Sequence, residues 1–149
     1  MRAKDKVRVL GEVLGVRRTQ RSAAEMALAE ALAKLQRLSD RRDDQARLLT
    51  GLQASWSQSM NGGSVQLQLA RAWQAEIVTE EATLILLGLE VDAATRAQEL
   101  ARDTLTTAIG CFDAARSLVR SAQRRAARTR EEAMLAEADD RSARQGVRT

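Results

Sequence analysis

The chain has 149 residues, a net charge of +4, no Pro, no His, no Tyr, one Phe and one Cys. Without His and with a single Cys, it offers no zinc-type ligand spacing, no Ser-His pair and no Cys-His pair, which excludes most catalytic and metal-binding constellations. Aromatic residues make up 2% of the chain, too few for an ordinary globular core, while Ala, Leu, Arg, Glu and Gln dominate and the absence of Pro permits very long helices.

The first predicted element covers roughly residues 4–60. Setting heptad position a on multiples of seven gives Val7, Leu14, Arg21, Leu28, Leu35, Arg42, Leu49 and Trp56 at a. Position d then holds Leu10, Arg17, Ala24, Ala31, Leu38, Gln45 and Leu52. A seven-residue apolar period of this length predicts a helix with one narrow packing seam. Its opening stretch, Met1-Arg2-Ala3-Lys4-Asp5-Lys6, starts like a secretory signal, but Arg8, Glu12, Arg17 and Arg18 follow where an apolar region would be needed. We therefore expect a cytoplasmic protein.

The next element is the turn Asn61-Gly62-Gly63-Ser64, the one strong reversal signal in the chain. Asn61 and either glycine can take the left-handed conformation that ends a helix, and Ser64 can cap the next one. The second helix is expected over roughly 65–143. Its a positions are Ile77, Leu84, Val91, Gln98, Leu105, Phe112, Val119 and Ala126. Its d positions are Trp73, Glu80, Leu87, Ala94, Ala101, Ala108, Ala115 and Ala122. The predicted fold is all-α: one elongated domain over 1–149, a long two-helix antiparallel coiled-coil hairpin with an overhanging C-terminal helix. A turn centred near residue 61 makes paired residue numbers sum to about 122. Leu38 then faces Leu84, Leu35 faces Leu87, Leu10 faces Phe112, and Arg42 forms a polar seam pair with Glu80. The alternative register, slid by one heptad to a sum of about 129, would set Arg42 against Leu87, so the first is the expected one. Gly11, Gly15, Gly51, Gly88 and Gly110 lie inside the helices, and each costs up to about 1 kcal/mol against Ala. Cys111 reads as a small, semi-buried apolar residue in a reducing compartment.

Charge is distributed unevenly. Residues 1–21 carry seven Lys/Arg and two Asp/Glu, and residues 120–149 carry eight Arg and five Asp/Glu. Residues 43–118 carry five Arg against ten Asp/Glu. A hairpin would bring both basic stretches to its open end and leave the turn-proximal part acidic. The basic stretches have no stacking aromatics and no glycine-rich phosphate loop, so nucleic acid is not the expected partner. A protein with an acidic socket suits them better. Near the turn, apolar residues exceed what one seam covers: Ile85, Leu86 and Leu89 take positions b, c and f. A helix apolar on more than one face is usually covered by something else, so the stretch around Trp73 to Leu89 reads as a partner-binding or self-association strip.

Three features together resemble a known family. They are the mixed basic and apolar start Met1-Arg2-Ala3-Lys4-Asp5-Lys6-Val7-Arg8-Val9-Leu10, the turn Asn61-Gly62-Gly63-Ser64, and the stretch Arg124-Arg125-Ala126-Ala127-Arg128-Thr129-Arg130-Glu131-Glu132. The chain resembles the central-stalk proteins of type III secretion, the flagellar FliJ and the injectisome proteins of the YscO and Hrp type. The resemblance covers the whole chain and is architectural. It implies a non-enzymatic stalk that sits in a hexameric export ATPase, promotes its activity and links it to the cytoplasmic domain of the membrane export gate. Secretion chaperones are a further class of partner under this resemblance, and the protein would lie peripherally at the inner-membrane secretion apparatus. Trp73, Ile77, Glu80 and Leu84, joined by Ile85, Leu86 and Leu89, would form the gate-facing patch. Arg2, Lys4, Lys6, Arg8, Arg124, Arg125, Arg128 and Arg130 would form the ATPase-facing end. No cofactor is implied. The competing expectation is a generic cytoplasmic coiled-coil scaffold or chaperone that captures partner helices. Two copies could also pair weakly into a four-helix bundle through exposed apolar faces.

Overall fold

A computed structural model describes residues 2–63 and 66–147. Helix α1 spans Ala3–Asn61 (59 residues) and helix α2 spans Leu67–Gly146 (80 residues). The helices extend one to three residues beyond the expected limits, except at the start of α2, which comes two residues later. The first turn of α1 is closed by the carbonyl of Arg2, which accepts from the amides of Asp5 (3.0 Å) and Lys6 (3.1 Å). Asp5 places a negative charge at this helix N-terminus, where the peptide dipoles favour it. Gly63 has φ +120°, a backbone state that suits glycine and ends the helical run. The predicted cap, Ser64, lies outside the described residues.

The covered positions follow the heptad. In α1, every a position from Val7 to Trp56 and every d position from Leu10 to Leu52 is buried or half-buried. The same holds in α2 for a from Ile77 to Ala126 and d from Trp73 to Ala122. Outside these positions the helices are exposed with few exceptions. The two helices thus pack against each other along one face each, as in a helical hairpin. The packing is thin, and no described side chain is less than 2% exposed. Each covered Leu therefore contributes less than the roughly 1.5–3 kcal/mol of full burial.

Contacts group into two units, residues 26–103 and residues 1–25 with 104–149. Both helices contribute to each unit. In the first, Leu38, Val91 and Ala94 form a buried cluster with Leu35 packed against it, and Leu49 and Leu87 are also buried. The Gln45 amide donates to the Glu80 carbonyl (3.2 Å) and to the Glu80 carboxylate. In the second, Ala24, Ala115 and Val119 are buried, and the Arg21 guanidinium lies 5.3 Å from the centre of the Phe112 ring.

These contacts correct the expected register. Leu38 and Leu35 meet Val91 and Ala94 where Leu84 and Leu87 are the expected partners. The helix limits give the reason. The expected turn is centred at residue 61, whereas α1 itself runs to Asn61 and α2 begins only at Leu67, which displaces the contacts by about one heptad along α2. The Arg42–Glu80 pair is lost with the old register. Arg42 instead pairs with Asp43 (3.4 Å), and Glu80 takes Gln45 as its partner. Phe112 likewise meets Arg21 in place of Leu10. A cation over an aromatic face is worth roughly 0.5–1 kcal/mol where it is partly exposed, and this contact together with the Glu25 carboxylate at 3.0 Å accommodates a charge at a seam position.

Candidate interaction surfaces

Unit 26–103 holds the apolar strip, which the structure divides between two faces of α2. Trp73, Ile77, Glu80 and Leu84 are half-buried at seam positions, and Glu80 is engaged by Gln45. Ile85 (66% exposed), Leu86 (61%) and Leu89 (59%) lie on the opposite side, together with Val78 (58%). Val78, Ala82, Ile85 and Leu89 follow the i, i+4, i+7, i+11 spacing of one helical face. Within the strip from Trp73 to Leu89 the accessible large apolar side chains are therefore Val78, Ile85, Leu86 and Leu89, whereas Trp73, Ile77 and Leu84 are half-buried in the seam. In the same unit Asp44 hydrogen-bonds Arg47, and this bond, reinforced by the Asp44 charge, raises the Arg47 pKa further above its already high value.

Unit 1–25 with 104–149 holds the basic surface. By sequence it carries 16 Lys/Arg and 9 Asp/Glu, a net +7, against 8 and 11, a net −3, in the other unit. Arg2, Lys4, Lys6, Arg8, Arg124, Arg125, Arg128 and Arg130 are all exposed. The structure brings members of the two basic stretches together: Lys6 and Arg125 line one groove whose floor includes Leu10, Ala122 and Ala126. Arg8 is bound to Glu12 (3.4 Å).

Two further arginines belong with this surface but are absent from the residues expected at the basic end, since segment counting puts Arg116 in the acidic stretch 43–118 and Arg120 in the basic stretch 120–149. Arg116 and Arg120 line the same surface groove as Arg124, with Asp113, Ser117 and Ser121 between and beside them. The signal was present in the sequence, because Arg116, Arg120, Arg124 and Arg128 recur at four-residue spacing. That spacing keeps successive side chains on neighbouring turns of one face. None of these four has an ion-pair partner among the described residues.

Among the described residues no group of three or more His, Cys, Asp or Glu could hold a metal ion. No helix there is long and apolar enough to cross a membrane. Cys111 is half-buried beside Phe112. The surfaces thus present apolar and cationic side chains on helical backbone, which suits them to binding. No family model, curated protein or solved structure matches the chain.

Proposed function

We propose that the protein is a helical stalk or adaptor of a type III secretion ATPase. In this reading the two helices form an antiparallel coiled coil. Opposite numerical order of the contacts supports that geometry: Gln45 meets Glu80, while Leu35 and Leu38 meet Val91 and Ala94. The observation that carries the reading is the division of charge, +7 in one unit and −3 in the other, on a scaffold that buries little beyond its heptad seam. Exposed cations attract an acidic partner surface over a range that salt shortens. The basic unit would engage the acidic lining of a hexameric ATPase. The exposed residues Val78, Ile85, Leu86 and Leu89 would engage the cytoplasmic domain of an export gate. The seam residues Trp73, Ile77 and Leu84 would act indirectly, by holding that face in place.

The test is ATP hydrolysis by a hexameric secretion ATPase with and without the protein, at low and moderate salt. Stimulation that saturates near one chain per hexamer, and weakens with salt, is expected. Binding without any change in hydrolysis would refute the stalk reading and leave the scaffold alternative. That alternative draws on the same exposed apolar face and predicts capture of partner helices with no effect on an ATPase.

A further inference from the structure

We infer that Arg116, Arg120 and Arg124, continued by Arg128, form a docking ladder for an acidic helix of a partner protein, one that carries Asp or Glu at every fourth position. The ladder is built on continuous α2 backbone. Residues four apart in an α-helix are separated by about 6 Å along the axis, so a second helix with carboxylates at the same spacing meets the guanidinium groups in register. Arg pairs with carboxylates through two parallel hydrogen bonds, which makes such matching geometrically selective. All four arginines are exposed, and none has an ion pair among the described residues, so docking displaces no existing bridge.

The floor of the groove points the same way. Ser117 and Ser121 lie between the arginines, and their small side chains let another helix backbone come close. A lipid surface would be better served by large apolar side chains at these two positions. Asp113 lines the same groove at its N-terminal end. It would repel a phosphate backbone but would pair with a Lys or Arg of the partner and so fix the direction in which the helix lies. From Ala114 to Arg130 the chain has six Arg and no Asp or Glu, so no carboxylate interrupts the ladder before Glu131 and Glu132 close its C-terminal end.

The inference rests on reading the basic unit as a protein-docking surface and does not require that the partner be an ATPase. The test uses the full chain and a fluorescent, Ala-rich helical peptide with Glu at three successive fourth positions. An isomer of identical composition, with its Glu residues spread around the helix, serves as the reference. Fluorescence anisotropy at moderate salt should show the ladder peptide binding about tenfold tighter, a difference of about 1.4 kcal/mol. Arg120→Glu should abolish that preference with helicity unchanged, whereas Arg71→Glu, the same change in net charge at an exposed position of unit 26–103, should preserve it. Equal binding of the two peptides would overturn the inference. So would an equal loss with Arg71→Glu, or tighter binding of duplex DNA or phosphatidylserine vesicles than of the ladder peptide. The assay contains no ATPase, so a failure to stimulate hydrolysis alongside an intact peptide preference would count against the stalk reading alone.

Discussion

Two glutamines occupy the seam, and the structure assigns them opposite energetic roles. Gln98 is 7% exposed, and its Nε2 has no hydrogen-bond partner among the described residues. A buried donor left unpaired costs about 1–3 kcal/mol, because its bonds to water are lost on folding and nothing replaces them. Leu has nearly the volume of Gln and suits an a position. Gln98→Leu should therefore stabilise the protein by about 1–3 kcal/mol. For a chain of this length that raises the melting temperature by about 2–4 °C per kcal/mol. Gln45→Leu should do the reverse. The Gln45 amide satisfies both the carbonyl and the carboxylate of Glu80, and removing it strands a half-buried anion. Hydrogen bonds to charged groups are worth about 1.5–3 kcal/mol, and partial exposure at this site brings the expected loss down to about 1 kcal/mol. The assay is urea unfolding followed by circular dichroism at 222 nm, with the slope checked for constancy across variants. A Gln98→Leu protein less stable than wild type would refute the reasoning, since it would mean that the amide is satisfied in solution and contributes to the seam.

Further predictions follow from the same packing. Leu38→Ala removes a side chain that is 9% exposed and belongs to the buried cluster of unit 26–103; with little cavity left in so thin a seam, it should cost about 1–2 kcal/mol in urea unfolding. Ile85→Asp and Leu86→Asp, at 66% and 61% exposure, should leave helicity and stability within about 0.5 kcal/mol of wild type, while pull-downs with an export-gate domain lose signal; unfolding of these variants would show the face to be structural. Gly88→Ala and Gly110→Ala introduce a Cβ with nothing within 4 Å and should each raise stability by about 0.5–1 kcal/mol in the same unfolding assay. Gly63→Ala should destabilise, because the backbone there has φ +120°, and equal stability of the two proteins would show that the turn relaxes.

The sequence alone determined that there are two long helices, their approximate extent and the identity of the seam. A seven-residue period without Pro leaves one face to cover, and every residue from Val7 to Trp56 and from Trp73 to Ala126 assigned to positions a and d is covered in the structure. It also located the two unusual surfaces, because charge and excess apolarity are compositional. What it left undetermined was the register. A slide of seven residues exchanges one a–d match for another along the whole seam, so periodicity cannot separate the alternatives. The choice rests on a few polar contacts and on the length of the connection. Those particulars belong to the tertiary structure: α2 begins at Leu67, Gln45 takes Glu80, Arg42 turns to Asp43 and Arg21 covers Phe112. Packing likewise separated Trp73, Ile77 and Leu84, which the seam uses, from Ile85, Leu86 and Leu89, which remain exposed, since only the position of the neighbouring helix decides which apolar side chains are already covered.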